Sequence, residues 1–257
     1  MHSLSLLACA LGAVSALAYV PVASDSPPGA APACIVQDKA KDEDSAQTCA
    51  MCHKDIHAEW KDRKHAKAWD DEVYQNSIKK KRNAKLCHAC HIPGSVLAKA
   101  GRRPAKRDKN LHEGVTCVSC HKQDGKIHGP FGAKTDAHES VKDPMFAEKN
   151  SSGLCLSCHS TKIDVVLPVG RDFKSAKLAE KGKSCVGCHM PEVERHMAVS
   201  PVNGKPTGEK RKGRSHAMLG PNDAEFCALA FKLSATKADG KLVLHMENGA
   251  GHGVPGL

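Results

Sequence analysis

Cys49-Ala50-Met51-Cys52-His53 is the first of five copies of one pattern; the others are Cys87-His88-Ala89-Cys90-His91, Cys117-Val118-Ser119-Cys120-His121, Cys155-Leu156-Ser157-Cys158-His159 and Cys185-Val186-Gly187-Cys188-His189. The pattern is C-x-x-C-H, the c-type haem attachment motif. Two thiols at that spacing can form thioethers to both vinyl groups of one porphyrin, and the histidine that follows is then held beneath the iron as its proximal ligand. The ten motif cysteines are therefore expected to carry five covalent haem c groups. His53, His91, His121, His159 and His189 are the expected proximal ligands.

Paired C-x-x-C also builds tetrahedral zinc sites, which is the rival reading. Zinc has no use for a histidine fixed directly behind every pair. With 16 histidines in 257 residues, filling that slot five times by chance has odds of roughly one in a million, and that slot separates haem motifs from zinc motifs.

The remaining composition agrees with a cofactor-filled interior. Aromatic residues are 4% of the chain, charged residues 26%, and the mean hydropathy is −0.41, so side chains alone would bury poorly. The expected fold is mainly α with much irregular structure, a multihaem cytochrome c fold of short helices around covalent haems, ending in a β-hairpin. The formal charge of +10 could mark nucleic acid or an anionic membrane surface. Five haems, however, bring up to about ten propionate charges, so the basic excess reads as propionate neutralisation and no nucleic-acid partner is expected. The runs Lys79-Lys80-Lys81-Arg82 and Lys210-Arg211-Lys212 read first as solvated surface, and alternatively as a patch for an acidic redox partner.

Residues 1–18 look like a secretory signal: Leu4 to Leu17 is almost wholly apolar, too short to span a bilayer, and Ala16-Leu17-Ala18 offers a cleavage site. Export, with a periplasmic location, suits haem attachment outside the cytoplasm; Cys9 would leave with the signal, and no later transmembrane segment is expected. Residues 19–47 read as a flexible leader. A five-haem domain over 48–220 follows, and then residues 221–257, a β-hairpin and a histidine-bearing loop that reads as a truncated end. Cys34 and Cys227 remain outside the motifs and could pair as a disulfide in an oxidising compartment.

Lys54 to Ile78 has the polarity and length of one helix, on which His57, Lys61 and His65 share a face. Trp60 and Trp69 are expected to pack in the core or on haem. The last four motifs begin at 87, 117, 155 and 185, a two-site unit used twice with an offset of 68. Phe226 to Ala235 and Lys241 to Met246 form the expected hairpin about Ala238-Asp239-Gly240.

Ten histidines lie beyond the motifs and the signal: His57, His65, His88, His112, His128, His138, His196, His216, His245 and His252. That is twice the supply needed for a histidine on both sides of every iron. Methionine ligands such as Met190, Met197 or Met218 would raise the potential instead.

The stretch from Cys49-x-x-Cys-His through Trp60 and His65-Ala66, then Glu113-Gly-Val-Thr-Cys117 with His128 after it, then Cys188-His-Met190-Pro191, Arg214-Ser-His216 and Gly251-His252-Gly-Val-Pro255, resembles the cytochrome c-552/c-554-type multihaem cytochromes. The resemblance spans about residues 47–257. It implies His65, His128, His216 and His252 as distal ligands, with His138 and His112 next. It also implies a periplasmic electron carrier or subunit of a respiratory chain, distantly like hydroxylamine oxidoreductase in its haem modules. The chain departs from the family in carrying five motifs against the four of the carrier that names it.

Electron transfer between redox partner proteins is therefore the first expectation, with no catalytic residue assigned. The alternative is a redox enzyme or enzyme subunit acting on a small nitrogen or sulfur compound at one five-coordinate haem. The chain has no C-x-x-C-K motif, and its two tyrosines, Tyr19 and Tyr74, give little support to a tyrosine-crosslinked haem.

Overall fold

The computed structural model describes residues 42–162 and 168–253. The expected signal, most of the leader, Cys34 and Pro255 lie outside these residues.

The described residues open with two short helices, α1 (Ala46–Ala50) and α2 (Lys54–Trp60). Ser45 caps α1 by accepting from the Gln47 N–H, and the Glu113 carboxylate accepts from Ala46 N at 3.0 Å and Ser45 Oγ at 2.7 Å. An acceptor there satisfies free amides and opposes the helix dipole. Trp60 is buried with Ala46 and Ala66, and its indole N–H donates to the Val115 carbonyl at 2.9 Å. Trp69 is half-buried, with its ring 5.2 Å from that of His88.

The single helix expected over Lys54 to Ile78 is two. Residues 61–70 form turns, and α3 (Glu72–Lys79) starts afresh behind Asp71, whose side chain accepts from Tyr74 N at 3.0 Å. Tertiary partners take the carbonyls a helix would have used: His65 O accepts from Val115 N, Ala68 O from the His91 ring, and Trp69 O from Gln75. His57 and His65 consequently share no helix face. At the crossing, Gly114 has φ +54°, and a Cβ there would stand 2.3 Å from the His65 carbonyl oxygen. Only glycine fits.

Next come α4 (Lys85–His91), a 3₁₀ turn (Leu111–Glu113) and α5 (Cys117–His121). A small sheet follows, with β1 (Lys122–Gln123), β2 (Lys126–Gly129) and β3 (Ser140–Lys142) in that order, the first pair antiparallel and the second parallel. A 3₁₀ turn (Pro144–Phe146) leads into α6 (Glu148–His159), the longest helix described, and then α7 (Val169–Ser175) and α8 (Cys185–His189). Within the expected two-site repeat, α5 and α8 are both five-residue helices, with Thr116 and Ser184 at their N-caps, a form that α1 outside the repeat shares.

The remainder is largely β. Strands β4 (Glu192–Val199) and β5 (Pro206–Arg214) form an antiparallel ribbon with a bulge between His196 and Ala198. A one-turn helix, α9 (Ala224–Ala228), precedes the ribbon of β6 (Phe231–Ala238) and β7 (Lys241–Asn248). This hairpin sits where expected, although its first strand starts at Phe231, because residues 224–228 wind into α9. Asp239 and Gly240 have φ +50° and +74°, the two left-handed residues that match a two-residue turn to strand twist. With these ribbons the content is mixed α and β, not mainly α; the expectation overlooked β4 and β5, most of whose charged residues face solvent.

Buried apolar side chains are few among the described residues, chiefly Trp60, Tyr74, Ile92, Val96, Phe173 and small alanines. Small polar side chains share the interior: Thr116, Ser119, Ser151, Ser157, Ser184 and Ser200 are all buried.

Candidate functional site

Each C-x-x-C-H copy lies on a helix or runs off the end of one: α4, α5, α6 and α8 contain their motifs whole, while the first begins in α1 and ends at the N-cap of α2. On a helix, positions i, i+3 and i+4 share a face. Both thiols and the imidazole of a motif are thereby turned the same way, as one haem face requires.

Four of the five motif histidines are fixed by a backbone carbonyl that accepts from Nδ1–H. His53 donates to Met197 O at 2.7 Å, His91 to Ala68 O at 2.6 Å, His121 to His128 O at 2.7 Å and His189 to Leu219 O at 2.6 Å. A carbonyl can only accept, so Nδ1 carries the proton and Nε2 keeps a free lone pair, the arrangement of a metal-ligating imidazole. The carbonyls come from distant chain segments. Met197 belongs to β4, and Val199 N also donates to Cys52 O at 2.8 Å, so the β4–β5 ribbon clamps the first motif.

Four motif histidines each face a second histidine. The ring centres lie 6.4 Å apart for His53 and His138, and 6.2 Å apart for His121 and His216, His159 and His65, and His189 and His252. An iron bonded to both rings at about 2 Å, each ring centre about 1.1 Å behind its nitrogen, gives a separation of about 6.2 Å. The donor set thus fits an iron held between two imidazoles. The facing rings are also held at Nδ1: His216 donates to Arg214 O at 3.0 Å, His252 to Gly253 O at 2.8 Å, His138 pairs with Ser140 Oγ at 3.1 Å, and His65 meets Met218 Sδ. Burial, and then the neighbouring motif histidines, push His65 and His216 down to about 4, which keeps both neutral. Among the described residues no three His, Cys, Asp or Glu side chains converge on a point as a bare ion would need.

His128 is not brought against a motif histidine. Its ring pairs with Asp143 at 2.8 Å while its carbonyl holds His121. His112, the other resemblance-based candidate, is exposed and pairs with Asp70 at 2.8 Å.

The second motif differs. Beside His91 lies Tyr74, stacked with ring centres 3.6 Å apart and planes within 7°. At that distance Tyr74 flanks the imidazole and cannot stand across an iron from it. Tyr74 is 8% exposed, and its hydroxyl has no hydrogen-bond partner among the described residues. Burial, then the Cys87 and Cys90 thiols, raise its pKa well above the usual phenol value.

Thiol contacts indicate which motifs are neighbours. Cys49 meets Cys117, Cys90 meets Cys158, and Cys155 meets Cys185, joining the first motif to the third, the second to the fourth and the fourth to the fifth. Cys227 is a free thiol contacting Gly220 O at 3.6 Å.

Sequence reasoning had no access to the backbone carbonyls, nor to the cluster behind His216. There Arg195 makes two bonds to Glu59, at 2.8 and 2.9 Å, and Glu59 accepts from His216 N at 2.8 Å. No sequence signal linked Glu59 to Arg195.

Comparison with curated proteins finds no match. A solved structure titled as a penta-heme cytochrome c552 from Thermochromatium tepidum aligns with a TM-score of 0.48 and 18% sequence identity, over 79% of this chain and 64% of that one. This chain thus spans a little under two thirds of that protein's length. Residues 48–122 match the family model described as Cytochrome c554 and c-prime. That stretch is under a third of the chain and holds three of the five motifs, so the likeness to cytochrome c554 and c-prime is one of this segment.

Proposed function

We propose that this chain is an exported electron carrier holding five covalent haem c groups. His53 and His138, His121 and His216, His159 and His65, and His189 and His252 are the axial pairs, and His91 is the proximal ligand of the second haem. The observation that carries this reading is the set of four facing histidine pairs at 6.2 to 6.4 Å. When bound, the haems supply the redox chemistry. The protein's own residues fix imidazole tautomers, exclude solvent and set neighbour relations: first with third, second with fourth, fourth with fifth. The signal-like residues 1–18 support export, and the periplasm is the compartment proposed.

A pyridine haemochrome assay with intact mass tests the cofactor and should return five covalent haems per chain. Electron paramagnetic resonance tests the axial pairs and should show four low-spin irons.

A second reading concerns the second motif, where Tyr74 flanks His91 and no histidine faces it among the described residues. That iron would be five-coordinate and able to bind a small molecule, making the protein a redox enzyme or enzyme subunit. One high-spin component that shifts on adding nitric oxide, with turnover of nitrite or hydroxylamine, would favour it. Five low-spin irons would exclude it.

A further inference from the structure

We propose that the basic surface of residues 79–109, around the second motif, is the docking face for an acidic one-electron carrier protein, and that electrons cross there. This rests on the electron-carrier reading above. Residues 79–109 hold eleven Lys and Arg against one Asp, a net +10, and the whole chain's formal charge is also +10. The rest of the chain therefore balances to zero. Two propionates on one haem offset only about two of these charges, so haem neutralisation leaves most of this local excess in place.

Ten of the eleven cations are exposed; Arg107, half-buried, donates to the Pro93 and Asn110 carbonyls. The fold brings several of them to one motif. Lys79, Lys80 and Arg82 stand at the end of α3 and in the link to α4, and Lys85 opens α4. Residues 105–107 fold back along the end of α4, with Gly94 N donating to Ala105 O at 2.7 Å and Arg107 N to Ile92 O at 2.9 Å. Lys106 and Lys85 consequently both act on His88, and Arg103 acts on Cys90 and Cys158. Leu86 is exposed among them, at 44%, giving an apolar spot within a charged rim that suits a transient protein interface. Beneath lies the Cys90 contact with Cys158 that leads inward to the fourth motif. The other basic run is diluted: on β4 and β5, Lys210 and Lys212 share the ribbon with Glu192, Glu194 and Glu209, and Glu194 stands opposite Lys212.

The test uses the haem-loaded full chain and reduced plant-type ferredoxin, an acidic and low-potential donor, in stopped flow. The rate should fall roughly tenfold or more as ionic strength rises from about 0.01 to about 0.2 M. A Lys79→Glu/Lys80→Glu/Arg82→Glu/Lys85→Glu variant should lose roughly tenfold at low salt. A Lys205→Glu/Lys210→Glu/Lys212→Glu control should change less than about twofold. Equal losses in both variants, or none, overturn the docking face, as does a variant that stops binding anionic phosphatidylglycerol vesicles yet keeps its ferredoxin rate. If the variant does not load haem, a salt-independent wild-type rate overturns it. Dithionite separates the two readings: a chain with no reducible haem ends both, and full reduction with a rate indifferent to charge ends only this one.

Discussion

An imidazole can hold iron only through a nitrogen whose lone pair is free, so whatever accepts its other N–H decides whether it can serve. His216 is the clearest case: its Nδ1 donates to Arg214 O, its backbone N–H is taken by Glu59, and its ring centre lies 6.2 Å from His121. Replacing His216 by alanine should leave the haem count unchanged, because thioethers hold the porphyrin, and should convert about one fifth of the iron to a high-spin resonance signal. Glu59 predicts a pH effect. Burial raises its pKa, but the Arg195 guanidinium and the His216 amide outweigh this and hold it below the usual carboxylate value. A depressed folded-state value means that Glu59 contributes stability above its unfolded pKa, near pH 4.5, and loses it as pH falls through the folded value. Thermal unfolding across pH 3 to 7 checks this: Glu59→Gln should cost about 2 kcal/mol near neutrality, and its disadvantage should shrink in acid.

Elements here are short because their backbones serve other segments. The turns of residues 61–70 lend carbonyls to Val115 and His91, and β4 lends one to His53. Gly114 makes the first of these crossings possible. Gly114→Ala should cost about 3 kcal/mol or more, since a Cβ would meet the His65 carbonyl at 2.3 Å in a left-handed conformation. Gly208, with φ +68° and nothing within 4 Å of a Cβ, isolates the backbone contribution, and Gly208→Ala should cost about 1 kcal/mol. Comparable losses in denaturant titrations would show that the close approach is not what constrains residue 114. The β6–β7 hairpin was legible because alternation and an Asp-Gly turn are local signals. The β4–β5 ribbon was not, since its pairing is offset by a bulge and its strands are rich in charge.

At the scale of the molecule, the interior formed by the described residues holds few of the large apolar side chains that a folded domain ordinarily buries. The buried side chains are largely serine, threonine and alanine, with few large apolar residues, which is the composition expected where cofactors occupy the space between helices. Chain produced without haem attachment should therefore show no cooperative thermal transition by far-UV circular dichroism, whereas haem-loaded chain should melt sharply. A cooperative apo transition would place the stabilising core in the polypeptide.

The sequence by itself determined the attachment chemistry, because thiol spacing and the adjoining histidine are covalent and local, and it determined the supply of imidazoles. Tertiary structure decided which of them face one another. His138 faces His53, whereas His128, a leading candidate by resemblance, turns to Asp143 and gives only its carbonyl to His121. It also set Tyr74 beside His91 and brought Lys85, Arg103 and Lys106 to one motif. Each facing histidine pair joins residues 63 to 95 positions apart, and no periodicity or spacing rule reaches that far, because such pairings are fixed only when distant backbones exchange hydrogen bonds.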